Sequence, residues 1–428
     1  MNKRIIITDL LAGLTVSFAA LALGAAFGIM SGRGAFAGMI AAAVIPIITG
    51  IFGGTRLSVS GPTGPMTAVS SLVVAFAYES FQDKILAEQF ITLVFIMLGV
   101  FLILASILRL AKYISYVPQV VILGFMSGIA MLIWIDQFKV VFGLGGKVAP
   151  DGEVITNIVI ALSTVLLIFL IPVILKKLKL PHNIRIFIPP TLSAIIIMTV
   201  ITSLFNMNVG HIKLGSDGGS ISDLATLAIS YIPSMQILKW EYIMMALPYA
   251  LQLLLLGYLD SLLTALIMDN ITKEKSNYNK ELFGQGLSNI ASAIVMGIPG
   301  AQATIRSVLL FKEGAKTRLG AVSTGVIALL LFMVFKDYVT IVTSAVFIGV
   351  LLKAAWDVFE REFLTIYLKR KWYLNKSRNI QLGFILYTMF ATALVDLNFA
   401  VFSGTVFFYL VKRYWKIKDV EITLSDNV

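Results

Sequence analysis

The chain has no cysteine, only two histidines, and charged residues at just 13% of its 428 positions. The missing cysteine excludes disulfide staples, thiol chemistry and Cys-ligated zinc or iron–sulfur centres. His182 and His211 stand far apart, so a His-rich metal site is excluded as well. The charge content is about half that of a soluble domain, and hydrophobic residues reach 58% where about 45–50% is usual. Disorder and an ordinary soluble fold are both ruled out, which leaves a polytopic membrane protein.

A net charge of +11 raises the question of nucleic acid. The basic residues instead fall in short clusters between apolar runs, as at Lys176-Lys177 with Lys179, at Lys369-Arg370-Lys371 and at Lys412-Arg413 with Lys416 and Lys418. That distribution is what the positive-inside rule produces, and it lacks the continuous polar stripe of a nucleic-acid face. The first apolar run, Leu10 to Ile29, is too long for a cleavable signal peptide and lacks a small-residue cleavage site.

A helix needs roughly 20 apolar residues to cross about 30 Å of hydrocarbon. On that rule full spans are expected near 9–30, 35–53, 87–110, 113–143, 154–175, 185–206, 242–269, 281–297, 319–335, 337–355, 380–396 and 397–414. Two further apolar pieces, from Thr63 to about Phe76 and from Ala301 to about Phe311, cover only about 21 Å and about 17 Å. Each follows helix breakers: Ser60-Gly61-Pro62-Thr63-Gly64-Pro65 for the first, Gly297-Ile298-Pro299-Gly300 for the second. With these counted as half-helices, the expected fold is an all-α polytopic protein of 14 transmembrane segments, the half-helices being segments 3 and 10. An even number puts both termini on one side, and placing that side in the cytoplasm collects most of the 34 Lys and Arg there.

The two breaks lie ~240 positions apart, an offset of seven segments. Seven is odd, so the second half runs inverted: residues 1–206 form one repeat, 207–241 an external loop and 242–414 the second repeat, with 415–428 a short cytoplasmic tail. The loop includes the run Gly215-Ser216-Asp217-Gly218-Gly219-Ser220. Paired broken helices in inverted halves point to a transporter binding site at the midplane. A helix starting there exposes unpaired N–H groups and a positive dipole end, which suits an anion. The plainer alternative is a pair of Gly/Pro kinks in ordinary helices.

Ionisable residues inside a membrane are expensive and mark function. Asp260 lies in the apolar run Leu251 to Met268, with Thr264 four residues on and hence on the same helix face. Carboxylate and hydroxyl oxygens offer hard ligands for Na⁺, while a proton-carrying or paired Asp260 is the alternative. Arg306, inside the second short segment, is placed either to hold an anion or to neutralise Asp260. Asp396 is expected at the outer membrane edge, with a structural role. Glu360 to Arg378, where Phe363, Tyr367 and Trp372 alternate with cations, reads as an amphipathic helix along the cytoplasmic interface. No nucleophile–base arrangement is present, so an enzyme is not expected.

Several motifs resemble, in order, the SulP (sulfate permease) family of anion transporters. They are Asp9-Leu10-Leu11-Ala12-Gly13, Gly53-Gly54-Thr55-Arg56 with the first break, Gly124-Phe125-Met126-Ser127-Gly128, Lys280-Glu281-Leu282-Phe283-Gly284-Gln285-Gly286, Gly314-Ala315-Lys316-Thr317 and Gly349-Val350-Leu351-Leu352-Lys353. Leu259-Asp260-Ser261-Leu262-Leu263-Thr264 and Pro299-Gly300-Ala301-Gln302-Ala303-Thr304 are most similar to the BicA-type sodium-dependent bicarbonate transporters within it. The resemblance implies seven-plus-seven inverted repeats, core and gate domains, an elevator motion and a homodimer in the cell's inner membrane. It also implies that Thr63, Ala303 and Thr304 hold bicarbonate, and that Asp260 and Thr264 hold Na⁺ as coupling ion, with no other cofactor. Arg306 departs from that pattern and is positioned to supply the positive charge itself. The family's usual C-terminal STAS domain is not expected here. Sulfate or dicarboxylate uptake coupled to H⁺, or an anion channel, are the competing readings.

Overall fold

The computed structural model describes residues 3–144, 149–178, 188–205, 207–211, 221–335, 341–395 and 397–415. Lys179, His182, Asp396, Lys416, Lys418 and the run 215–220 lie outside these, as does the tail after 415. The described residues are overwhelmingly helical. In chain order they form α1 (Lys3–Met30), α2 (Gly34–Phe52), β1 (Ser60–Gly61), α3 (Gly64–Ser80), α4 (Lys84–Ile107), α5 (Gln119–Phe142), α6 (Val154–Lys177), α7 (Pro190–Leu204), α8 (Ile221–Ser230), α9 (Trp240–Thr272) and α10 (Tyr278–Ile294). There follow β2 (Ala301–Gln302), α11 (Thr304–Lys312), α12 (Leu319–Phe335), α13 (Ser344–Val358), α14 (Arg361–Lys369), α15 (Lys376–Leu394) and α16 (Leu397–Trp415). Six of these helices (α1, α2, α4, α5, α6 and α9) are long and apolar enough to cross a membrane.

Three differences from the sequence reading have local causes. The expected span 113–143 begins instead with a 3₁₀ stretch, Leu110–Tyr116, and α5 starts only at Gln119. Pro118 sets that boundary: it offers no N–H to a preceding turn, but its carbonyl accepts from Val121 and Ile122 to start the helix. Likewise α7 starts at Pro190, where a missing N–H costs nothing. The external loop 207–241 contains a helix, α8, whose Ile, Leu and Ala spacing is amphipathic despite its polar flanks. Among the described residues the all-α expectation fails at the two-residue strands β1 and β2, which pair with each other, and at two isolated bridges, Gly152 with Val209 and His211 with Thr343.

Two compact units divide the chain: Met1–Lys112 with Lys139–Leu351, and Tyr113–Phe138 with Leu352–Val428. In the first, α1 packs on α2 and α12, and α10 packs on α4 and α2. The α1–α2 contact is unusually close. A Cβ on Gly38 would stand 1.8 Å from the carbonyl oxygen of Gly24, so the two backbones touch only because both positions lack side chains. In the second unit Phe363 of α14 is buried, Arg378 lies 4.0 Å over the Trp372 ring, and Lys369, Arg370 and Lys371 are exposed. That is the amphipathic division expected of Glu360 to Arg378.

Candidate functional site

Both breaks are stretches of extended chain that run into a helix. In the first, β1 is followed by Pro62, and Thr63 is the N-cap of α3 with extended φ −127° and ψ 158°. In the second, Pro299-Gly300 leads into β2, and Ala303 is the N-cap of α11 with φ −100° and ψ 115°. The strands pair antiparallel, Ser60 opposite Gln302 and Gly61 opposite Ala301. Their crossing is tight: a Cβ on Gly300 would sit 2.4 Å from the carbonyl of Gly61. Further bonds lock the crossing, from Ala303 N–H to Val59 O (3.0 Å) and from Val59 N–H to Ser307 Oγ (3.0 Å).

These bonds satisfy the backbone that the breaks expose, but they leave both helix starts open. Neither Thr63 nor Ala303 makes a side-chain capping bond, which leaves the Gly64 and Met66 N–H groups of α3 (Pro65 has none) and the first amides of α11 uncapped. The Ala303 N–H is itself used by Val59, which limits Ala303 to shaping the start of α11.

α9 supplies the third wall. Asp260, Ser261 and Thr264 are all buried on it. Thr264 Oγ1 lies 2.7 Å from Thr304 Oγ1 and donates to Gln302 O at 3.2 Å, while Gln302 N–H donates to Ser261 Oγ at 3.3 Å. Thr63 and Arg306 are the groups that act on the Asp260 carboxylate. Arg306, 3% exposed, reaches across to the first break and donates to Pro62 O at 2.7 Å. It makes no direct ion pair with Asp260 among the described residues.

The polar atoms left over carry the most information. Among the described residues, Thr63 Oγ1, one carboxylate oxygen of Asp260 and one terminal nitrogen of Arg306 are buried with no partner at full hydrogen-bonding geometry, although the Thr63 hydroxyl sits close enough to act on the Asp260 carboxylate. Orphaned buried polar groups cost about 1–3 kcal/mol each, more when charged, so three on neighbouring residues call for a polar partner. The sequence-predicted residues Thr63, Asp260, Thr264, Thr304 and Arg306 are thus brought together at the strand crossing.

The sequence reading assigned no role to the scaffold behind them, carried on α10. Glu281, fully buried, accepts from the N–H groups of Gly54 and Thr55 at 2.8 Å each. Gln285 donates to Ser60 Oγ (2.7 Å) and to Glu281 Oε1 (2.9 Å). Asn289 exchanges two bonds with the Gly300 backbone, at 2.9 and 2.8 Å. With its amide oriented to suit its neighbours, Gln302 donates to Ser261 O (3.0 Å) and Glu281 Oε1 (3.2 Å). The available signal was a polar stripe at helical spacing, 281, 285, 288, 289 and 292, in a segment read as membrane-spanning.

The sulfate permease family pattern matches residues 6–377. The bicarbonate transporter BicA of Picosynechococcus sp. is 33% identical over 98% of this chain and 72% of its own length. The putative sulfate transporter YvdB of Bacillus subtilis is 30% identical over 95% of this chain and 73% of its own. The solved transmembrane domain of a cyanobacterium bicarbonate transporter BicA superposes with a TM-score of 0.76 at 28% identity, covering 94% of this chain and 98% of that one. The chain belongs to the sulfate permease family, as a multi-pass membrane protein related to anion transporters.

Proposed function

We propose that the protein is a secondary active transporter of a small inorganic oxyanion, bicarbonate first, taken up in symport with Na⁺. The observation that carries this reading is the cluster of unpartnered buried groups between the starts of α3 and α11. Free amides at two helix starts, the Thr63 hydroxyl and the orphaned nitrogen of Arg306 are all donors, which suits an oxyanion with several acceptor oxygens. Thr304 stands at the first position of α11 and adds a hydroxyl to that wall.

The acceptor side of the same space suits a cation. The free oxygen of Asp260 lies on the helix that carries Thr264, and Thr264 brings its own hydroxyl together with Gln302 O and Thr304 Oγ1. These are hard, uncharged oxygens around one carboxylate, a donor set for a monovalent ion such as Na⁺. Cation and anion then favour each other electrostatically, and that coupling free energy is reciprocal. The inner-membrane location with cytoplasmic termini rests on the distribution of Lys and Arg. The elevator motion and the homodimer rest on the family resemblance alone.

The second reading is uptake of sulfate or a dicarboxylate coupled to H⁺ through Asp260. It draws on the similarity to a putative sulfate transporter and on Arg306, which already sets a fixed positive charge beside the site. An anion channel is the remaining possibility, and it requires currents that do not depend on a coupling ion.

The deciding experiment is uptake of labelled bicarbonate into proteoliposomes at fixed pH and clamped voltage, with and without an inward Na⁺ gradient. Uptake that rises with Na⁺ and saturates supports symport. Bicarbonate uptake indifferent to Na⁺ makes Arg306 the built-in countercharge. No bicarbonate uptake, with sulfate or dicarboxylate uptake driven by a proton gradient, selects the second reading.

A further inference from the structure

A pocket away from the strand crossing has no part in the function proposed above. It is a wide-open depression of about 530 Å³ where α2 ends and α12 begins, lined by Ile51, Arg56, Thr317, Arg318, Leu319 and Val322, with glycine at its edge. Its lining therefore holds two guanidinium groups and no acid. Arg56 is engaged, donating to Lys316 O and pairing with Glu274 at 2.6 Å. Arg318 is engaged through one nitrogen only, which donates to Gly53 O at 2.6 Å. Its remaining nitrogens have no partner, and its charge no carboxylate, among the described residues.

The first turn of α12 adds the positive end of a helix dipole to the same wall. Thr317 and the Lys316 N–H are both bound to Asp9 of α1, which fixes the turn bearing Arg318. This is the end of the unit that carries the N-terminal part of α1, the cytoplasmic end on the basic-residue distribution. The other side of the pocket is apolar. Ile51 is exposed, and Val326 and Leu330 continue the Val322 face of α12 at steps of four, exposed along the helix. A cationic floor opening onto an outward-facing apolar row is the shape of a lipid, with headgroup and chain in their own surroundings.

We propose that this pocket binds the phosphate headgroup of an anionic phospholipid. The free nitrogens of Arg318 take the phosphate oxygens, and Arg56, already paired with Glu274, flanks them. One acyl chain lies along Val322, Val326 and Leu330. A soluble phosphate would gain only the floor of this site and none of the apolar row.

The test uses the full chain in neutral detergent, with native mass spectrometry counting retained lipid during titration with phosphatidylglycerol or phosphatidylcholine. The wild type is expected to keep phosphatidylglycerol in preference. Arg318→Gln should weaken that retention about fivefold and leave phosphatidylcholine unchanged; Arg318→Lys should keep most of it. Should Arg318→Gln fail to fold, Arg56→Gln carries the same test, because that side chain is half exposed. Inorganic phosphate at millimolar concentration should neither bind nor displace the lipid. Equal retention of the two lipids by the wild type, or undiminished phosphatidylglycerol retention in both glutamine variants, overturns the proposal. Displacement by inorganic phosphate overturns it too, by making the pocket a site for the free ion.

Discussion

Thr264 Oγ1 and Thr304 Oγ1 stand 2.7 Å apart, one on the long helix α9 and the other on the first residue of α11. The contact joins the oxygens assigned to the cation with the helix start assigned to the anion. Under the proposed symport it would give one ion a physical route to sense the other: a cation drawing in the Thr264 oxygen would reorient the hydroxyl on the anion side.

Thr264→Val keeps the shape and removes the oxygen. In Na⁺-driven uptake the variant should require about tenfold more Na⁺ for half-saturation, in line with the loss of one charge-assisted contact of about 1.5 kcal/mol. Thr264→Ser should stay close to wild type. An unchanged Na⁺ requirement in the valine variant removes Thr264 from the cation site.

Among the described residues, Asp260→Asn takes away the one carboxylate at the strand crossing that has an orphaned oxygen. Stimulation of uptake by Na⁺ should vanish, leaving at most a residual, gradient-independent flux. Retained stimulation would falsify the assignment of the cation to Asp260. The same variant separates the two coupling readings, since proton-driven sulfate uptake through Asp260 should be lost along with its pH dependence.

Arg306 is tied to the first break by its bond to Pro62 O, and one of its nitrogens is orphaned. Removing the charge by Arg306→Gln should raise the half-saturating anion concentration by roughly 10- to 100-fold, the equivalent of losing a charged hydrogen bond of about 1.5–3 kcal/mol. Kinetics of labelled bicarbonate uptake at saturating Na⁺ measure it. A change confined to the Na⁺ requirement would instead make Arg306 a partner of Asp260 alone.

The sequence placed the half-helices, Asp260 and Arg306 because each breaks a rule of the bilayer, proline and glycine in an apolar run or charge where charge is expensive, and placed Thr264 by its spacing of four from Asp260. It did not reveal that β1 and β2 cross. Two residues of extended chain leave no periodic pattern, and pairing between positions so distant in sequence is not written locally. Arg306 was read as facing an anion or Asp260, and its bond to the Pro62 carbonyl depends on that same crossing. The supporting residues Glu281, Gln285 and Asn289 are legible as a polar stripe, but Glu281 and Asn289 bind backbone groups of the breaks and Gln285 the Ser60 hydroxyl, partners that no motif on α10 announces. The start of α8 was missed because Ser and Asp near it read equally well as loop residues.

Glu281 tests that scaffold. Its carboxylate takes two backbone N–H groups from Gly54 and Thr55, and a neutral Glu281→Gln side chain keeps one acceptor oxygen at the cost of bringing an NH₂ group against Gln285. The expected loss is about 1–3 kcal/mol of stability, read as a lower thermal midpoint in detergent, with the half-saturating anion and Na⁺ concentrations unmoved in whatever fraction remains folded. A normal midpoint combined with altered ion requirements would place Glu281 in the binding site instead.

Gly300→Ala is the most severe single change, because its cause is geometric. The added Cβ would stand 2.4 Å from both the carbonyl carbon and the carbonyl oxygen of Gly61, backbone atoms that cannot swing aside as a side chain does. The strands must therefore separate, and with them go the Asn289 bonds to Gly300 and the placement of Arg306 beside Pro62. Transport should be abolished even in protein that still inserts and purifies as a folded species, because α3 and α11 would no longer present their open ends to one space. Substitution at Gly383, where an added Cβ meets nothing within 4 Å, is the matched control and should transport normally. If Gly300→Ala supports wild-type uptake, the ions are not held at the crossing, and the site has to be sought elsewhere in the unit.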